Sequence, residues 1–248
     1  MPLYGLIGYP LGHSFSKKYF TNKFEKENLE DCFFELFPLE NIQEFPSLLK
    51  AGPTLHGLAV TIPYKESVIP FLHHVNNKAQ QIGAVNCITI RSGILTGYNT
   101  DVIGFEKSFT ALLKPKHTKA LVLGTGGASK AVQYVLTALK LPFKLVSRGA
   151  DKSRDIIAYS DLTSQLMQEY PIIINCSPVG MGALKNEKPA IPFQYLSPDN
   201  YLYDLIYEPE ETLFLKEGKV KGATIKNGYE MLVLQAEENW KIWNNTTT

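Results

Sequence analysis

The stretch KALVLGTGGASKAVQYVLTALK, residues 119–140, constrains the fold more than any other part of the chain. An apolar run from Ala120 to Leu123 ends on Gly124, and Gly126 and Gly127 follow before an amphipathic segment. A buried strand, a sharp turn and a helix are the unit from which parallel sheets are built. Glycines let such a turn double back and approach a ligand closely, and the helix start offers unpaired N–H groups with partial positive charge. The spacing is G-x-G-x-x-S, with Ser129 at the third small position. By itself this serves equally as a tight connection. With a strand before it, a helix after it and more such units downstream, it predicts a dinucleotide cradle.

Cofactor choice is read at the end of the next strand, FKLVS at 143–147. Sites that take NAD place Asp or Glu there, about 20 residues on, to hold the ribose 2′-hydroxyl. This chain has Ser147 and Arg148. A guanidinium suits a 2′-phosphate through forked, charge-assisted hydrogen bonds. Lys152 and Arg154 are candidates to assist, or are simply solvated, and Asp151 stands close enough to oppose them. The expectation is NADP.

Strands and helices alternate on both sides of this unit. Strands are predicted at 3–9, 32–38, 55–62, 119–124, 143–147, 170–176 and 200–207. Helices are predicted at 16–28, 101–113, 127–140 and 227–243, with a short one reaching Leu48 and Ser16 as the cap of the first. Ser92-Gly93 between two apolar runs marks a hairpin. The alternation argues for an α/β fold with parallel sheets. One place departs from it: few residues separate Arg148 from a candidate strand at 156–158. A parallel crossover needs about a dozen, so either the crossover helix is reduced to a loop or that strand is absent. The polar KPKHTK at 114–119 reads as a domain junction, His73-His74 as solvated loop and the terminal NNTTT as a frayed tail.

Composition narrows the function classes. Hydrophobic residues make up 44%, enough for a sizeable core. Twenty-five basic residues against 24 acidic leave +1, which gives no electrostatic case for nucleic acid or an anionic membrane. Cys32, Cys87 and Cys176 are isolated, so neither a zinc site nor a disulfide framework is indicated, and a reducing cytoplasm fits. No apolar run approaches the ~20 residues of a membrane span.

Seven motifs in order give the chain a specific likeness: GYPLGHSFS (8–16), GLAVTIPYKE (57–66), GAVNCI (83–88), GYNTDVIGF (97–105), GTGGASKA (124–131), NCSPVGM (175–181) and NGYEMLVLQA (227–236). Together they resemble shikimate dehydrogenase. The resemblance implies NADP-dependent reduction of 3-dehydroshikimate to shikimate, in aromatic amino-acid biosynthesis. It implies an N-terminal α/β substrate domain (1–100 and 227–248) and a Rossmann-type dinucleotide-binding domain (101–226), with the C-terminal helix returning to the first. Lys65 matches the catalytic lysine, able to pass a proton to the developing alkoxide, and Asp101 its acidic partner. Ser14, Ser16, Thr61, Asn86, Tyr207 and Gln235 match substrate-binding positions. Gly124, Gly126, Gly127, Ala128, Ser129, Ser147, Arg148, Gly228 and Met231 match cofactor-binding ones. No metal is implied, and the protein is expected as a monomer or homodimer. Each residue also has an ordinary role open to it: a solvated lysine, a helix N-terminal acid, a capping serine, a core methionine.

Two departures stand out. The family usually has Pro after Ser16, where this chain has Lys17-Lys18. Its pattern G-x-N-V-T is here G-L-A-V-T, so Ala59 stands where an asparagine would offer an amide to the substrate. The stretch thus looks like the family's catalytic edge, with its lysine intact and its substrate clamp incomplete. Two alternatives stay open: an NAD-dependent quinate/shikimate dehydrogenase, and a non-catalytic NADP-binding regulatory protein, which Ala59 suggests and Lys65 with Asp101 oppose. A methylene-tetrahydrofolate dehydrogenase shares the layout without the HSxS and YNTD motifs.

Overall fold

Among the described residues of the computed structural model, 1–12, 14–51 and 55–245, the strands form two six-stranded sheets. The last three residues of the NNTTT tail and the Arg154 side chain lie outside the described residues. The chain divides into two units, residues 1–100 with 235–248, and residues 101–234.

In the first unit the sheet is built from β1 (Leu3–Gly8), β2 (Phe33–Pro38), β3 (Leu55–Val60), β4 (His74–Val75), β5 (Cys87–Arg91) and β6 (Ile94–Tyr98), in the order β2-β1-β3-β5-β6-β4. β1 pairs in parallel with β2 and β3, while β5 is antiparallel to both β3 and β6. Ser92 and Gly93, both at positive φ, close the β5–β6 hairpin. Side chains alternate across the sheet. Ile7, Leu58 and Val60 enter one core with Phe45 and Val68, near α2 (Phe45–Ala51) and α3 (Asn77–Ile82). Leu6, Ala59 and Cys87 enter the other, with Phe20 and Phe24 of α1 (Phe15–Lys26) and Ala236 and Trp243 of the last helix. His73 and His74 are exposed, yet they are not plain loop: His74 begins β4, and His73 Nδ1 accepts a hydrogen bond from Leu95 N.

In the second unit the order is β12-β11-β10-β7-β8-β9, all parallel: β7 (Ala120–Leu123), β8 (Phe143–Ser147), β9 (Ile156–Ala158), β10 (Ile172–Asn175), β11 (Tyr201–Asp204) and β12 (Thr224–Lys226). Its helices are α4 (Asp101–Thr110), α5 (Gly127–Ala138), α6 (Ser164–Glu169) and α7 (Leu213–Val220). The candidate strand at 156–158 is real, and its crossover from β8 is the reduced kind, a single turn at Lys152–Arg154 in place of a helix. The segment 114–119 lies wholly within this unit. The final helix, α8 (Tyr229–Trp243), starts in the second unit and enters the first at Gln235.

Candidate active site

The first group of candidates gathers at the end of β3. Gly8 lets the two chain segments meet there, since a Cβ on it would lie 2.4 Å from Thr61 Cγ2. Thr61 N donates to Ile7 O, continuing the ladder past the strand. Four residues on, the Lys65 carbonyl accepts from Val85 N at 2.7 Å, which fastens the lysine's backbone beside the segment entering β5. Asn86 follows, its carbonyl accepting from Val60 N at 2.8 Å. Thr61, Lys65 and Asn86 are thus held by one patch of backbone hydrogen bonds.

The Asn86 side chain is buried and leads into a chain of polar contacts. Its Nδ2 donates to Thr100 Oγ1 at 3.0 Å, and its Oδ1 accepts from Thr100 N at 2.7 Å. Thr100 Oγ1 donates in turn to Asn239 Oδ1 at 2.7 Å, and Asn239 Nδ2 donates to Gln235 Oε1 at 3.3 Å. All four side chains are buried. Hydrogen bonds that run head to tail in a low-dielectric interior reinforce one another. Sequence reasoning finds Asn86 and Gln235 but not Thr100 or Asn239. The one signal for Asn239 is a polar residue on the apolar face of α8, and that face is defined only once the helix is docked.

The paired serines divide their roles differently from the sequence expectation. Ser14, not Ser16, caps α1: its Oγ accepts from Lys17 N at 3.4 Å, and Ser16 lies inside the first turn. A cap must stand outside the helix with its oxygen over an N–H two or three residues ahead, a spacing that Ser14 has to Lys17. Both serines are half-buried.

In the second unit Asp101 opens α4 directly after Thr100 and is buried, at a position that suits an acid. The glycine turn lies between β7 and α5, where the strand order reverses between β7 and β10, the usual place of a ligand crevice in such sheets. Gly124 has φ +103°, which a side chain would strain, and a Cβ there would press on Ser177 N at 3.2 Å. Its N–H donates to Val146 O at 2.8 Å, tying the turn to the end of β8. Gly126 precedes the first turn of α5, whose N–H groups receive no capping side chain, and nothing lies within 4 Å of a Cβ built on it. Gly127 and Ala128 are the first residues of α5, both half-buried. This open, donor-rich turn fits a dinucleotide pyrophosphate. Ser129 faces inward: it is fully buried and its hydroxyl donates to Gly126 O at 2.7 Å, shaping the turn from within. Ser147 ends β8 half-buried and Arg148 is exposed. The Asp151 carboxylate caps the turn that follows β8, its Oδ1 accepting from Ser153 N and Oγ at 3.0 and 2.6 Å.

Two loops beside that turn share a buried acid. Asp204 Oδ1 accepts from Asn175 Nδ2 and Ile206 N, both at 3.1 Å, and Oδ2 from Thr212 Oγ1 at 2.7 Å. Burial pushes the carboxyl up to about 6 despite these donors. Half-buried Tyr207 follows three residues later. Gly228 is required for close approach, because a Cβ would sit 2.1 Å from Leu205 O. Met231 is buried on the first turn of α8.

Comparison with known proteins adds the following. Residues 6–88 match the shikimate dehydrogenase substrate binding domain. A shikimate dehydrogenase (NADP(+)) of Carboxydothermus hydrogenoformans is 38% identical over 99% of this chain and 92% of its own length. The crystal structure of shikimate dehydrogenase from Aquifex aeolicus is similar with a TM-score of 0.86 at 33% identity, covering 98% of this chain and 92% of that one. The shikimate 5-dehydrogenase of Thermus thermophilus, solved with NADP(H) and shikimate, gives 0.86 at 29% identity, covering 99% of this chain and 94% of that one.

Proposed function

This chain belongs to the shikimate dehydrogenase family, and we propose that it catalyses the reversible, NADP-dependent reduction of 3-dehydroshikimate to shikimate in aromatic amino-acid biosynthesis. The observation that carries this is the extent of the likeness, 38% identity over 99% of the chain, which runs through both units. The same likeness does not favour a quinate enzyme or a protein without activity.

NADP supplies or accepts the hydride when bound; the glycine turn of residues 124–129 holds its pyrophosphate, and Arg148, beside Ser147, pairs with the 2′-phosphate. Gly228 and Met231 complete the cofactor contacts. Lys65 gives a proton to the substrate oxygen as the ketone becomes a hydroxyl, and takes it back in the reverse direction. Asp101 accepts a hydrogen bond from the same region of the ring and keeps the lysine's proton traffic directed. Thr61, Asn86 and Gln235 bind the ring hydroxyls or the carboxylate side, Ser14 and Ser16 bind the carboxylate, and Tyr207 lies near the substrate. The buried relay through Asn86 and Gln235 supports this, since it fixes two amides before substrate arrives. The substrate-binding segment comprises residues 1–100 with the C-terminal helix, and the cofactor segment begins at Asp101. No helix among the described residues is long and apolar enough to cross a membrane. The free cysteines, Cys87 buried among them, support a reducing cytoplasmic setting. Monomer and homodimer both suit the function.

The test is oxidation of shikimate, followed by cofactor reduction, with NADP and with NAD and beside quinate. Turnover of shikimate with NADP preferred is the expected result. Turnover of quinate with NAD alone, or none at all, overturns the proposal.

A further inference from the structure

β3 presents Gly57 and Ala59 on one face, and α8 lies along that face. Two contacts fix its alignment. Trp243 Nε1 donates to Ile88 O at 3.0 Å, and the Trp243 ring covers Gly57, where a Cβ would lie 2.3 Å from Cδ1. One turn earlier, Asn239 accepts from Thr100, which is itself bonded to Asn86. From Trp243 back to Asn239 is about 6 Å of helix, and from Ile88 back to Asn86 is about 6–7 Å of strand, so the two elements stay in step. β5 is antiparallel to β3, with Ala59 opposite Cys87, and Val60 N reaches Asn86 O. Asn239 therefore comes level with Ala59, and Ala236, three residues earlier, shares its apolar cluster.

We infer that Asn239 carries from α8 the amide that Ala59 does not carry on β3, and that it is the positioning residue for shikimate recognition in this chain. The inference rests on the proposed function above. Asn239 is 1% exposed, so its amide was taken out of water for a purpose that packing alone does not require. Its oxygen faces the Thr100 hydroxyl, so its nitrogen is turned to Gln235 Oε1. That contact sets the polarity of the Gln235 amide, oxygen toward Asn239 and nitrogen on the other branch. Asn239 thereby orders Asn86, through Thr100, and Gln235 directly, from opposite ends of one relay.

The test measures shikimate and NADP kinetics, with melting temperature, for the unaltered chain, Asn239→Ala, Asn239→Ser, and Ala59→Asn combined with Asn239→Ala. We expect Asn239→Ala to raise KM for shikimate about tenfold, the worth of one well-placed hydrogen bond, with KM for NADP within about twofold. Asn239→Ser, whose hydroxyl can accept from Thr100 and donate to Gln235, recovers at least half of the loss. Ala59→Asn in the Asn239→Ala background recovers most of it. An unchanged shikimate KM in Asn239→Ala overturns the inference, as does a parallel rise in both KM values or a failure of either recovery in a folded variant. Absence of shikimate turnover in the unaltered chain is a different failure, that of the functional proposal itself, and the inference falls with it.

Discussion

Replacing Thr100 by valine removes one oxygen and almost no volume. Valine keeps the β-branched shape and the backbone N–H that Asn86 Oδ1 accepts at 2.7 Å. What disappears is a hydroxyl that accepts from Asn86 Nδ2 at 3.0 Å and donates to Asn239 Oδ1 at 2.7 Å, at a residue with no exposed surface. Each neutral hydrogen bond contributes roughly 0.5–1.5 kcal/mol net, and a buried amide left short of a partner costs about 1–3 kcal/mol. The neighbouring amides keep their other partners, so these penalties are only partly realised, and the loss is about 2–3 kcal/mol. For a chain of this size that is a fall in Tm of roughly 5–10 °C. Asn86 and Gln235 would then be less firmly oriented, and the shikimate KM should rise about tenfold while the NADP KM holds. Thermal unfolding and steady-state kinetics on the same preparations check both. A Tm shift under about 2 °C, worth less than 1 kcal/mol, together with an unchanged shikimate KM, would refute the reasoning that the hydroxyl joins the two amides.

Other outcomes follow from the same geometry. Lys65→Ala should lower kcat by roughly 10²–10⁴-fold and leave NADP affinity nearly unchanged; near-normal kcat removes Lys65 from proton transfer. Arg148→Ala should raise KM for NADP by about 10–100-fold, the worth of a charge-assisted bond, with little change for NAD; equal losses would show that Arg148 does not read the phosphate. Asp204 has its carboxyl raised by burial to about 6, so between about pH 4, where the unfolded acid titrates, and pH 6 the folded chain binds the extra proton. Its contribution to stability is therefore full below about pH 4 and lost as pH rises through 6. Asp204→Asn should flatten that part of the Tm-against-pH curve, and an identical slope in both proteins would exclude Asp204 as its source.

Much of this architecture is legible because its signals are local. The β7–Gly124–α5 unit announces itself through an apolar run, glycines and an amphipathic helix within residues 120–138, and the Ser92-Gly93 hairpin through its turn chemistry. What escapes the sequence depends on distant partners. β4 is two residues long and exists only because β6 lies beside it. β12 and α6 are similarly short, and α7 is begun by a Thr212 cap that is evident only once its hydroxyl is seen over Leu215 N. The site divides in the same way. Lys65, Asp101 and Asn86 stand in recognisable motifs, whereas Thr100 and Asn239 acquire meaning from contact across 139 residues. Ala59 shows both sides: its sequence reports a missing amide, and only the docked α8 shows an asparagine at its level.

The last helix also orders events in time. Trp243 fills the aromatic cluster of the first unit, stacking on Tyr4 and lying 5.3 Å from Phe20, and Arg91 Nη2 reaches the Ile242 carbonyl at the helix end. Residues 1–100 leave the ribosome with that cluster unfilled, and the segment that fills it follows only after residues 101–234 have been made. At about 5–20 residues per second, that interval is roughly 7–27 s. During it Tyr4, Phe20, Phe24 and Phe34, which share one cluster with Trp243, lack that part of their cover. The half that is synthesised first is the half that is finished last.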